Sequence, residues 1–202
     1  MSTLSDTILA MSFFWQAVCF EGGLAVLAIL ADLLFLLGLD YPSHCWCDST
    51  TAVQIIGGLP PLLAVYYLLK VLPLPALKRV DTLVRQMFRE YMQHWNLGQL
   101  ALVAALTGVG EELLFRGLFQ LGLSGLLGVG WAILITSVIF GLAHAVTPTY
   151  CMLTFFISLY FSWLFVLTGN LIVPIAIHAL YDFFVFLVLK YAAPRRKKID
   201  MV

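Results

Sequence analysis

Six stretches of the chain, about 11–37, 51–72, 98–118, 128–147, 150–168 and 171–191, are apolar almost without interruption. Each is near the roughly 20 residues with which a helix crosses a hydrocarbon core about 30 Å thick, so the pattern predicts six transmembrane helices. Between the second and third lies LPLPALKRVDTLVRQMFREYMQHWN, polar and basic, with apolar residues at Leu77, Val80, Leu83, Val84, Met87, Phe88 and Tyr91. Those positions recur at helical spacing and predict an amphipathic helix on the membrane surface, with Pro73 and Pro75 marking the break before it. There is no internal repeat, low-complexity tract or linker. The expected fold is an all-α polytopic membrane bundle, a single transmembrane domain over residues 1–202.

Composition agrees with the pattern. Of the 202 residues 62% are hydrophobic and 11% charged, with a mean hydropathy of +0.98; a soluble domain carries about 25% charged residues. This excludes a soluble enzyme, a disordered chain and a nucleic-acid binder that relies on positive charge. The net charge is zero, but the cations are clustered. Lys78, Arg79, Arg85 and Arg89 lie in the loop before span three, and Arg195, Arg196, Lys197 and Lys198 in the tail. The positive-inside rule puts both clusters in the cytoplasm. Four spans separate them, an even number, so the two assignments agree; the N-terminus is then also inside, and the 38–50 loop outside. The expected location is a cell membrane, with both termini in the cytoplasm. The first apolar run has no basic n-region and no small-residue cleavage site, and is read as a retained helix. Four scattered cysteines form no disulfide framework. Cys45 and Cys47 beside His44 lack the spacing of a zinc knuckle and are read as loop residues.

Ionisable groups inside spans are costly and mark functional sites by default. They are Glu21 and Asp32 in span one, Glu111, Glu112 and Arg116 in span three, His144 in span four, and His178 with Asp182 in span six. Polar residues can serve as glue between helices, but that suits Ser and Thr better than this many titratable groups. Glu112 and Arg116 are four apart, share a helix face and are expected to form an ion pair. Glu111 points about 100° away from Glu112 and is free to face a cavity. His178 and Asp182 share a face, as do Phe140 and His144, where the ring can wall a pocket and fix the imidazole. A carboxylate and imidazoles from three helices at membrane depth suit general-base activation of water. Glu21 and Asp32, eleven residues apart, fall on one face of span one, either as interfacial groups or as a polar stripe lining a water path to Glu111.

GEELLFRG (Gly110–Gly117), FGLAH (Phe140–His144) and HALYD (His178–Asp182) resemble, in order, the EExxxR, FxxxH and HxxxN/D motifs of the CAAX-processing and bacteriocin-processing intramembrane proteases, a family with bacterial protein-sorting members. The resemblance covers roughly residues 98–191, the expected catalytic core. It implies a glutamate-type intramembrane endopeptidase acting on a membrane-anchored protein or peptide, with no cofactor or metal. In that scheme Glu111 activates water with the help of His144, and His178 with Asp182 stabilises the oxyanion. Glu112, Arg116 and Phe140 are supporting residues. Many relatives carry Asn where Asp182 stands; an ionised Asp cannot donate a hydrogen bond, so Asp182 either accepts from His178 or stays protonated.

Two alternatives use the same residues. In one, Glu111, His144 and His178 bind a catalytic zinc, although the HExxH spacing of many zinc proteases is missing. In the other, the chain is a non-catalytic immunity-type membrane protein or a proton-coupled transporter; GGLPP at residues 57–61 breaks span two, but nothing in the second half answers it. Helical rise puts Glu111 about 20 Å from the inner end of span three and His178 about 10 Å from the outer end of span six. With span four beginning near Trp131, His144 lies about 20 Å from the outer end, a mismatch of about 10 Å with the other two. A site in the outer half suits cleavage of exported proteins near a C-terminal anchor better than prenyl-protein processing from the cytoplasm.

Overall fold

The computed structural model describes residues 4–35 and 44–192, so the basic tail, Asp40 and the end of the expected first span lie outside the described residues. The described chain is helical, with no strand: α1 (Leu4–Phe35), α2 (Ser49–Val71), α3 (Pro75–Met87), α4 (Leu97–Glu112), α5 (Leu121–Leu127), α6 (Val129–Ala143), α7 (Pro148–Thr168) and α8 (Ile172–Ala192). It is a polytopic helical bundle and an integral membrane protein. Five of its membrane-length apolar helices are Met11–Leu34, Ser49–Val71, Leu97–Leu127, Pro148–Thr168 and Ile172–Tyr191, and α6 is a shorter apolar one.

Local chemistry sets the helix starts. Asp48 caps α2 and Asn96 caps α4, each in a reciprocal capping box with Thr51 and Gln99 respectively, which satisfies two otherwise orphaned backbone donors. Thr147 caps α7, and Pro148 occupies its first turn, where a missing N–H costs nothing. The Gly57–Pro61 segment was expected to break span two, but α2 runs through Pro60 and Pro61. The Tyr160 hydroxyl donates to the Gly58 carbonyl at 2.6 Å, which ties this stretch of α2 to α7.

The third crossing departs most from expectation. Instead of ending near residue 118 it continues as a π-helical stretch, Leu113–Gln120, and then as α5 to Leu127. Gly128, at φ +82°, makes the reversal, a backbone region open chiefly to glycine. The fourth crossing is correspondingly short. It stops at Ala143: His144 leaves helical geometry, and Thr147, held extended before Pro148, already caps the next helix. The longer third crossing brings Glu111 and His144 to one depth: from the Leu127 end Glu111 is about 24 Å along its helix, and His144 is about 22 Å from the start of α6. α6 begins at Val129, not near Trp131. His178, about 9 Å from the start of α8, is then the residue that helical rise alone does not place.

One end of the bundle gathers the start of α1, α3, the start of α4 and the end of α8. Phe14, Phe88, Trp95, Leu100, Val103 and Leu189 form one apolar cluster there, and Lys190 donates to the Trp95 carbonyl at 2.7 Å. At the opposite end the α7–α8 turn is tied to the segment before α2. Leu171 N donates to the His44 carbonyl at 2.6 Å, and Asn170 Nδ2 to the Trp46 carbonyl at 2.8 Å. The His44 ring itself meets the Gly169 carbonyl at 3.0 Å, and Cys45 and Cys47 are free thiols.

Two glycines let α4 approach its neighbours. A Cβ on Gly108 would stand 2.7 Å from the Ile175 carbonyl of α8, and one on Gly110 would collide with the Glu21 carbonyl of α1. Close approach over small residues is the usual basis of helix association in lipid. Gly110→Ala is therefore expected to push α1 off α4 and lower stability by about 1–3 kcal/mol. Gly130→Ala, where a Cβ meets nothing within 4 Å, should leave the melting temperature close to wild type. Thermal unfolding of both variants in detergent checks this, and equal melting temperatures would contradict the crossing.

Candidate active site

The Gly108 and Gly110 crossings set Glu111 and Glu112 where α4 meets α1 and α8, and both glutamates are buried. Glu111 faces the imidazoles. Its Oε1 is 3.5 Å from His144 Nε2, and its Oε2 is 3.8 Å from His178 Nε2. These are longer than ordinary N–H···O hydrogen bonds. His178 Nε2 is also 3.6 Å from Asp182 Oδ2. Thus Glu111, His144, His178 and Asp182, the four residues expected to carry the chemistry, come together from three helices.

Each histidine is held by its other nitrogen. His144 Nδ1 lies 2.9 Å from the Phe140 carbonyl one turn back, and its ring stacks on that of Phe140 with centroids 4.4 Å apart. His178 Nδ1 lies 2.8 Å from Glu112 Oε1, and its ring stacks on Phe161 at 4.9 Å. A carbonyl or carboxylate can only accept, so both Nδ1 atoms carry the proton, and both Nε2 atoms are presented to Glu111. The orienting acceptor of His178 is therefore Glu112, where the sequence pointed to Asp182. Asp182 stands at the opposite nitrogen, next to Glu111.

Arg116 ties these supports together. Its Nη1 donates to Glu112 Oε1 at 3.2 Å, and its Nη2 to both the carbonyl and the hydroxyl of Ser158 at 2.8 Å. The guanidinium also lies over the rings of Phe140 and Phe161, at 5.2 and 5.5 Å from their centroids. The expected Glu112–Arg116 pair is present and fully buried. The paired charge, the hydrogen bonds of both Nη atoms and two aromatic faces offset much of the cost of burying this cation, although its Nε has no acceptor. Sequence reasoning missed Ser158 and Phe161. The available signal was the row Thr154, Ser158, Ser162, polar at four-residue steps along an otherwise apolar α7.

The four residues line a cavity of about 480 Å³ that extends from Glu111 to the underside of α3. Leu77, Val80, Val84 and Met87 form part of its wall, so the apolar face read from the sequence covers the cavity. Lys70 and Asp81, which are ion-paired, also line it, and Arg85 joins Asp81 at 2.9 Å. Burial favours the neutral acid at Asp81, but its bonds to Lys70 and Arg85 outweigh this and hold its carboxyl below the ordinary range. Glu21 lines the cavity, whereas Asp32 is absent from its wall; the two do not form one stripe along it. Among the described residues, no three His, Cys, Asp or Glu side chains are grouped so as to hold a metal ion.

Residues 93–184 match the family model of type II CAAX prenyl endopeptidases, Rce1-like. The matched segment runs from the end of the α3 region into α8, and contains all three motifs and every residue of the site except those of α1 to α3. No curated protein and no solved structure matches the chain.

Proposed function

Taking residues 93–184 as those of an Rce1-like CAAX endopeptidase, a protease family of the membrane, we propose that this chain hydrolyses a peptide bond near the anchored or C-terminal end of a membrane-bound protein by a glutamate-type mechanism. The observation that carries the reading is the convergence of His144 and His178 Nε2 on the two oxygens of Glu111 at 3.5 and 3.8 Å. Those gaps leave the carboxylate able to turn toward a water rather than being locked in a bond.

In this mechanism Glu111, with His144 beside it, takes one proton from water as the water oxygen attacks the scissile carbonyl carbon. The carbonyl π pair moves to oxygen. His178, held through Nδ1 by Glu112 and protonated on both nitrogens, donates a hydrogen bond from Nε2–H to that oxyanion and keeps its proton throughout. Asp182, 3.6 Å from the same nitrogen, favours a proton there, so an Asp in place of an Asn is compatible with an imidazole donor. Collapse of the tetrahedral intermediate breaks the C–N bond, and the proton gained by Glu111 and His144 goes to the departing amine.

The cavity's extension beneath α3 supports entry of substrate from that face. The cluster Lys78, Arg79, Arg85 and Arg89 makes it the cytoplasmic face by the positive-inside rule. That reverses the preference for the outer half drawn from helical rise alone. The test is cleavage of a membrane-anchored reporter peptide by the purified chain in detergent micelles, where no transport is possible. Cleavage that survives exhaustive chelation is the expected result. Loss on chelation with recovery on adding Zn²⁺ would overturn the metal-free mechanism, and no cleavage at all would favour the transporter or immunity-type reading.

A further inference from the structure

We propose that Glu21 of α1 is a specificity-determining residue, its carboxylate receiving a lysine or arginine side chain of the substrate beside the scissile bond. The inference rests on the endopeptidase reading and adds the chemistry of the substrate to it. Phe13, Ala17 and Glu21, four residues apart, present one face of α1 to the cavity. The Glu21 carbonyl is packed against Gly110, so Glu21 stands level with Glu111, at the reacting end of the cavity and away from its α3 end.

Charge balance decides what Glu21 receives. Four carboxylates line the cavity, Glu21, Asp81, Glu111 and Asp182, against one ammonium, Lys70, and two imidazoles. Lys70 is taken up by Asp81, and the imidazoles by Glu111 and Asp182. Glu21 Oε2 is buried and accepts from no protein group. Holding a carboxylate out of water without a donor is costly, and a cationic side chain reaching in with the peptide removes that cost. Glu21 also lies outside the matched segment 93–184, apart from the residues that carry the three motifs.

The experiment uses the full chain in detergent micelles and anchored fluorogenic peptides that differ only at the two residues on each side of the cleaved bond. These are Lys, Arg, norleucine (the length of lysine without its charge) or Glu. The wild type is expected to show kcat/KM at least about tenfold higher for Lys and Arg than for norleucine. Glu21→Gln should bring that ratio below about twofold, and Glu21→Lys should turn the preference toward Glu. A wild type indifferent to the basic residue overturns the assignment without any variant being needed. So does a Glu21→Gln enzyme that loses rate equally on every peptide with the ratio intact, which is the signature of a purely structural role. Failure of the wild type to cut any peptide would instead overturn the endopeptidase reading, and the assignment with it.

Discussion

Glu111→Gln is expected to lower the cleavage rate by about three orders of magnitude while the protein remains folded in the membrane. Gln keeps the size of the side chain and an acceptor oxygen toward His144, so the packing around Gly110 has no reason to change. It cannot take a proton from water, which is the step assigned to this position. His144→Ala should cost a similar factor, because the imidazole 3.5 Å away shares that proton; it also strips the Phe140 ring of its stacking partner. Initial rates on an anchored peptide, with melting temperatures measured on the same preparations, check both. A Glu111→Gln protein that cleaves at the wild-type rate would remove the glutamate from the chemistry, whatever else the cavity does.

Arg116→Ala should behave in the opposite way, as a folding defect first and a kinetic one second. Removing one partner of a buried ion pair leaves the other charge uncompensated, at about 3–5 kcal/mol, and here the loss is wider. Glu112 keeps only His178, the carbonyl and hydroxyl of Ser158 lose their donor, and the Phe140 and Phe161 rings lose the cation between them. Those two rings are the faces on which His144 and His178 lie, so the loss reaches both imidazoles although Arg116 touches neither. The expected readout is a large drop in melting temperature or in the amount of folded protein, with Glu111→Gln as the stable comparison. Equal stability of the two variants would show that Arg116 is not the structural hub.

The difference between these predictions tracks what was legible in the sequence. Spacing along one helix was readable. Residues four apart share a face, and the Glu112–Arg116 pair, the Phe140–His144 stack and the His178–Asp182 proximity all lie within single helices. Contacts between helices were not, because periodicity tells which face a residue occupies but not which neighbour covers it. Hence the hydrogen bond from His178 to Glu112, 66 residues away, and that from Arg116 to Ser158, 42 residues away, became visible only in three dimensions. The depth of the site failed for a different reason. Hydropathy ended the third crossing near residue 118, since Arg116 and Gln120 dilute the apolar run. Both are buried, and Gln120 Nε2 donates to the Ser162 carbonyl at 3.3 Å, so the helix continues through polar residues that never meet lipid.

That the arginine and its glutamate sit on the same helix also bears on how the protein is made. The segment from Leu97 to Leu127 is the least apolar of the five long ones, and it must leave the translocon before α7 and α8 have been synthesised. A cation whose counter-ion belonged to a later helix would enter the bilayer bare. Arg116 and Glu112 instead enter as one nearly neutral unit, which lowers the cost of burying either charge on the way in. Ser158 and His178 then join a pair that already exists. Moving the glutamate to another helix, even with the final contacts kept, is thus a change to biogenesis before it is a change to the finished bundle.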